Sequence, residues 1–181
     1  VIHKVLRRNS CTPPTTKESG IPTALFQVNE YRWTPVKYLY QYTAIDDCTR
    51  YRVLQIYKKR TASNTLDFLE RVIEQLPFPV QLIQTDREME FFAEKVQRRL
   101  MEYGIKFRPN KPESPHLNGK VERSQKTDLE EFDPTVDLKA AELENLLSES
   151  QHYYNWFRPH GSLGGKSPDE HRLELSPVTP F

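Results

Sequence analysis

The apolar positions of this chain fall first into strand-length clusters and only later into helical ones. Ala24-Leu25-Phe26-Gln27-Val28-Asn29-Glu30-Tyr31, the Tyr- and Leu-rich run from Lys37 to Ile45, and Tyr51 to Tyr57 each predict a strand. Asp46-Asp47-Cys48-Thr49 has turn chemistry, so the second and third strands form a hairpin. The period then changes. Leu66, Leu69, Val72, Ile73 and Leu76 recur at helical spacing, and Pro77 and Pro79 stop that helix. Val80-Gln81-Leu82-Ile83-Gln84-Thr85 reads as a buried strand ending at Asp86. Phe91 to Tyr103 predicts a helix with Val96, Leu100 and Tyr103 on one face and Gly104 as its stop, and Ile105 to Arg108 a short strand. A proline-rich loop, Pro109 to His116, leads into a helix carrying Glu122. After a break at Asp133-Pro134 comes a long amphipathic helix from Leu138 to Trp156. The order β-β-β-α-β-α-β-α-α predicts an α/β fold. Its mixed five-stranded sheet has a three-stranded antiparallel meander, two parallel strands and helices on both faces.

The ends differ from this body. Residues 1–8 read as the tail of a basic amphipathic helix. Residues 9–23, with Pro13, Pro14, Gly20 and Pro22, have linker composition, so residues 1–23 are expected to trail from an upstream domain. Residues 24–173 form the expected core, and 174–181 a tail. With 181 residues, 36% of them hydrophobic and 28% charged, the chain can bury one substantial core. No apolar run reaches membrane-spanning length. A net charge of +1 does not announce a nucleic-acid binder, but Arg98, Arg99, Lys106, Arg108, Lys111, Lys120, Arg123 and Lys126 gather around Glu122. Cys11 and Cys48 have no ligand spacing, the five histidines assemble no zinc module, and a reducing cytoplasm is the expected compartment.

Asp86 and Glu122 are the candidate chemistry. Thirty-five residues separate a carboxylate at a strand's end from one on a following helix. Two such groups can converge on one divalent cation, as metal-assisted phosphoryl transfer requires.

Four motifs carry a resemblance: Gln84-Thr85-Asp86, then Glu90-Phe91-Phe92, then Ser114-Pro115-His116-Leu117-Asn118-Gly119-Lys120-Val121-Glu122-Arg123, and last Tyr154-Asn155-Trp156-Phe157-Arg158-Pro159-His160-Gly161-Ser162-Leu163. In this order they resemble the integrase core, the catalytic domain of retroviral integrases and of bacterial insertion-sequence transposases. The likeness is nearest to the bacterial transposases and runs from about Ala24 to His171. It implies a ribonuclease-H-like fold and a site of two aspartates and one glutamate binding two Mg²⁺ or Mn²⁺ ions. Its implied activity is DNA strand cleavage and strand transfer without a covalent enzyme intermediate. Asp86 matches the second aspartate and Glu122 the glutamate. The resemblance further implies DNA partners (transposon ends and target), a homo-oligomer, no membrane partner, an upstream DNA-binding domain, and a place at the bacterial nucleoid. Lys120, Arg123 and Lys126, with His116 and Asn118 in the preceding loop, are the candidate DNA contacts. An ordinary solvated helix face explains those lysines and the arginine equally well.

Two positions depart from the family. Where the resembling proteins read Trp-Gln-x-Asp, this chain has Phe26-Gln27-Val28-Asn29, so Asn29 holds the first catalytic position, fifty-seven residues before Asp86. Asparagine offers one neutral carbonyl oxygen, which cannot bridge two cations as a carboxylate does. Glu30 falls on the opposite strand face, and Asp46 and Asp47 read as turn residues. Arg87-Glu88-Met89 also lacks the family's glycine, and a positive φ at Glu88 would cost about 1–2 kcal/mol. Two readings stand: a metal-dependent enzyme, or a catalytically inactive module that binds DNA and self-associates. A ribonuclease H proper is disfavoured by the Tyr-Asn-x-x-Arg-Pro-His ending. Tyr153, Tyr154, Trp156 and Phe157 are expected as core or interface packing, and Arg158-Pro159-His160 as the fixing of a helix end.

Overall fold

A computed structural model describes residues 2–4, 24–33, 39–85, 89–109 and 143–175, the backbone alone for 2–4, 24–33 and 39. Its strands are β1 (Ile2–Lys4), β2 (Ala24–Trp33), β3 (Leu39–Asp46), β4 (Arg52–Tyr57), β5 (Val80–Thr85) and β6 (Lys106–Pro109). Its helices are α1 (Ala62–Gln75), α2 (Glu94–Glu102), α3 (Leu143–Trp156) and α4 (Pro168–Leu175). The expected meander is present: β2, β3 and β4 pair antiparallel in sequence, and β5 and β6 extend the sheet in parallel on the far side of β2.

The sheet has six strands rather than the expected five. β3 runs along one side of β2 from Phe26 to Trp33, whereas β5 covers only Ala24 to Phe26 on the other. β1 takes the next stretch of that second side, with Ile2 opposite Glu30, His3 opposite Asn29 and Lys4 opposite Val28. The helical reading of residues 1–8 therefore fails at 2–4. Beyond the end of β5 the backbone of β2 offers unpaired donors and acceptors, and that demand outweighs a three-residue local preference.

The main core lies between the sheet and the helices α1 and α2. Tyr42, Ala44 and Val53 of the meander meet Phe68, Leu69 and Val72 of α1 and Val96 and Leu100 of α2. Each large apolar side chain so buried contributes about 1.5–3 kcal/mol. Local signals set the helix ends. The Thr61 hydroxyl accepts from the Asn64 amide at 3.2 Å to cap α1. Leu76 is extended at the other end, as the residue before Pro77 must be. Gly104, at φ 67°, ends α2 with Ile105 N–H donating to Leu100 and Gly104 N–H to Met101, a Schellman closure. The helix expected over Phe91–Tyr103 is shorter than predicted: Met89–Phe91 is a separate 3₁₀ turn, and α2 begins at Glu94.

The opposite face of the sheet carries α3. The Asn155 side chain accepts from the Arg52 amide at 2.9 Å and donates to the Arg52 carbonyl at 2.7 Å. Gln151 Oε1 accepts from the Leu54 amide at 2.6 Å. Since β4 is the outermost strand of the sheet, these two amides take the place of a neighbouring strand. A further helix, α4, was not anticipated. Its signature is present in Ser167-Pro168-Asp169-Glu170: Ser167 N–H donates to Glu170 Oε2 at 2.8 Å and Glu170 N–H to Ser167 Oγ at 3.3 Å, a reciprocal capping box with proline at the first helical position.

Candidate active site at the C-terminal rim of the sheet

β2, β4, β5 and β6 all run in one direction, so their C-terminal ends form one rim of the sheet. In open α/β sheets that rim is where sites are built, because chain leaving the strands there is free to form loops. α3 runs antiparallel to β4, with Gln151 beside Leu54 and Asn155 beside Arg52. Its first residue, Leu143, therefore lies toward this rim, where Pro109 ends β6. The chain leaves the described fold at Pro109 and re-enters it at Leu143 from the same side.

Asn29 lies on β2 at the register position between Thr43 of β3 and His3 of β1. The parallel pairing of Phe26 with Ile83 sets β5 beside β2, and β5 ends at Thr85. Gln84 and Thr85 are buried, so the strand approaches position 86 under firm constraint. Asp86, Arg87 and Glu88 lie outside the described residues. The chain resumes with a second anchor. Phe91 is buried and stacks on Phe107 at 6.3 Å, Phe92 meets the same ring edge-on at 5.5 Å, and Arg60 pairs with Glu90 at 3.3 Å. The Glu90-Phe91-Phe92 motif thus fastens the segment after β5 to β6 and to the loop after β4. His116, Asn118, Lys120, Glu122, Arg123 and Lys126 also lie outside the described residues. No group of three or more His, Cys, Asp or Glu side chains suited to a metal comes together among the described residues.

Asp46 ends β3 and Asp47 opens the hairpin turn that the sequence indicates. Asp46 is buried at the opposite rim, where its Oδ2 accepts from the Thr49 amide at 2.8 Å and the Thr49 hydroxyl at 2.6 Å. Arg99, counted with the basic cluster, is engaged within the fold. It bonds Glu70 at 2.6 Å and Glu102 at 2.8 Å, and holds the Glu70 carboxyl below the usual carboxylate range.

The Tyr154–His160 motif is architectural. Tyr154 is buried under the Arg52 guanidinium at 3.7 Å, with the His160 ring edge-on at 4.5 Å. His160 N–H donates to the Lys166 carbonyl at 3.0 Å. Burial, reinforced by the charge of Arg158, depresses the His160 pKa to about 4, so this ring is neutral at physiological pH. The expectation that Arg158-Pro159-His160 fixes a helix end holds. Of the expected core or interface packing, Tyr154 takes the core part, while Tyr153, Trp156 and Phe157, 53%, 46% and 66% exposed, lie outside the core of this chain. The apolar face of α3 is taken up by Leu143, Leu147 and Tyr154, and the other aromatics fall outside it.

Comparison with known proteins places the fold and the family. The Integrase core domain family model matches residues 23–115, and a second model of the same description matches 103–168. The integrase ORF3 of Spiroplasma virus SpV1-C74 is 27% identical over 167 residues, covering 80% of this chain, which spans 46% of that relative's length. Among solved structures, the catalytic core domain of BIV integrase superposes with a TM-score of 0.65 at 20% identity, covering 81% of this chain and 91% of that one. A chain of the simian T-cell lymphotropic virus intasome gives 0.67 at 16%, covering 97% of this chain and 66% of that one. The HTLV-2 integrase core in complex with magnesium gives 0.59 at 18%, covering 81% and 93%. The fold is therefore ribonuclease-H-like, an α/β architecture with antiparallel and parallel strands in one sheet, and the chain belongs to the integrase core domain family.

Proposed function

We propose that this chain is the catalytic core of a DNA transposase or integrase of the bacterial insertion-sequence type. In this reading Asp86 and Glu122 hold the metal and Asn29 occupies the third catalytic position. The observation that carries it is the register between β2 and β5. Phe26 of β2 pairs with Ile83 of β5 in parallel, so Asn29, three residues further along β2, lies toward the same rim at which β5 ends at Thr85. Two carboxylates and an amide carbonyl are hard oxygen donors, which suit Mg²⁺ or Mn²⁺, but they bring one negative charge fewer than three carboxylates do. Bound divalent metal would supply Lewis-acid activation of a phosphoryl oxygen. The substrates in this reading are transposon ends and target DNA, with Lys120, Arg123, Lys126, His116 and Asn118 contacting the backbone. The active form in this reading is an oligomer, working at the nucleoid in the cytoplasm.

Asn29 also supports a second reading, a module that binds DNA and self-associates without cleaving. Metal-dependent cleavage of transposon-end DNA by this chain and by Asn29→Asp separates the two. The backbone at position 29 is paired on both sides, so the exchange alters the side chain and leaves the scaffold in place. A gain of at least tenfold in Asn29→Asp, abolished by Asp86→Asn, supports the enzyme. Equal, robust activity in both chains would overturn the importance given to position 29. Binding without cleavage in either favours the module.

A further inference from the structure

Three exposed lysines meet at the C-terminal rim, on the side of the sheet away from α3. Lys58 and Lys59 follow the end of β4, and Lys95 stands on the first turn of α2. Hydrogen bonds make these one surface. The Asn64 side chain donates to the Lys59 carbonyl at 2.6 Å, tying that loop to the first turn of α1. Lys95 Nζ donates to Ser63 Oγ in the same turn at 2.5 Å. Arg60 continues the surface to Glu90, directly beyond the segment 86–88.

The charge balance of this corner is unusual in its detail. Each of the nearby carboxylates Glu90, Glu94 and Asp67 is already engaged: Glu90 by Arg60, Glu94 by Arg98 at 2.7 Å, and Asp67 by Arg71 at 2.9 Å and the Tyr57 hydroxyl at 2.6 Å. Among the described residues no carboxylate lies within ion-pair distance of Lys58, Lys59 or Lys95. The first turn of α1 carries no acidic residue either, so the positive end of the helix adds to the lysines. Three cations spread along a rim, rather than gathered on one point, match a linear array of phosphates better than a single anion.

We propose that Lys58, Lys59 and Lys95 form a phosphate-contacting surface that carries duplex DNA across the rim toward the segment following β5. The inference rests on the reading of the chain as a DNA-processing core and adds Lys58, Lys59 and Lys95 to its candidate DNA contacts. Such contacts are independent of base sequence and act by releasing counterions.

The test is fluorescence anisotropy of a short labelled duplex of arbitrary sequence, titrated over about 50–200 mM salt. The wild-type chain is compared with the triple variant Lys58→Gln, Lys59→Gln, Lys95→Gln, and with Lys166→Gln as a charge-loss control remote from the rim. The expected result is a log–log salt slope shallower by about 2.7 in the triple variant, from about 0.9 for each phosphate no longer neutralised, with little change in the control. Wild-type slope and affinity in the triple variant would overturn this inference and leave the functional reading intact. A wild-type chain that binds no duplex at low salt overturns both. Circular dichroism of the triple variant checks its fold, because all three side chains are exposed and removing their charge spares the core.

Discussion

The two rims of the sheet handle charge in opposite ways. At the rim where β3 turns into β4, polar groups are consumed by the fold: Asp46 caps its own turn through Thr49, Asn155 binds the Arg52 backbone, and the Arg52 guanidinium lies buried on the Tyr154 ring. At the C-terminal rim, Lys58, Lys59 and Lys95 remain in solvent, and the chain departs at Thr85 and Pro109 into the segments that hold Asp86 and Glu122. A buried polar group must be satisfied internally or it costs the fold, whereas an exposed one can be reserved for a ligand. Residues at the first rim should therefore govern stability, and residues at the second should govern binding.

The strongest challenge to that division is Asn155→Ala. It leaves the Arg52 N–H and C=O without their amide partner at a buried sheet edge, and a loss of about 2–4 kcal/mol is expected by urea denaturation. A loss below about 0.5 kcal/mol would mean that water replaces the amide and that this rim is less closed than its geometry indicates.

A pH series sharpens the contrast. The folded-state pKa of His160, about 4, lies below its ordinary value of 6.5. The folded state then binds fewer protons than the unfolded one between these values, so stability is full above about pH 6.5 and declines as pH falls toward 4. At pH 5 the decline is at most about 2 kcal/mol, and it should vanish in His160→Gln. A wild-type decline retained in the variant would assign it to another group.

The smallest effect is expected at the other rim. Lys58→Gln, Lys59→Gln and Lys95→Gln should each shift stability by less than about 0.5 kcal/mol, since none packs into the core. A larger loss would identify the lysines as structural and dissolve the contrast.

Much of this division could be read from sequence where a local signal coincides with a tertiary demand. The Asp46–Thr49 turn, the Pro77 stop and the Gly104 stop act through neighbouring residues, and all three appear where expected. β1 was illegible because its strand character comes from the free side of β2, some two dozen residues away. Tyr153, Trp156 and Phe157 could not be sorted from Tyr154 by pattern alone, since an aromatic-rich helix offers several stripes and packing selects one. The helix after Ser167 is legible in its Ser-Pro-Asp-Glu capping box. For the candidate site, Asn29 is named by the likeness of Phe26-Gln27-Val28-Asn29 to the family's Trp-Gln-x-Asp segment. Asp86 and Glu122 rest on their motifs. The lysine surface had no sequence signature, because Lys95 is brought to Lys58 and Lys59 only by the packing of α2 against α1.

The amides of Asn155 and Gln151 also bear on how copies of this protein can meet. By occupying the backbone groups of β4 they deny that border of the sheet to an incoming strand. The other border, β6, is four residues long, alternates exposed Lys106 and Arg108 with less exposed neighbours, and ends in proline, so it too resists extension. Among the described residues both borders are guarded in this way, so a continuous sheet spanning two copies is disfavoured there and any pairing of copies is left to side-chain surfaces. A pairing made that way can be adjusted one residue at a time and does not risk open-ended stacking of strands into fibres.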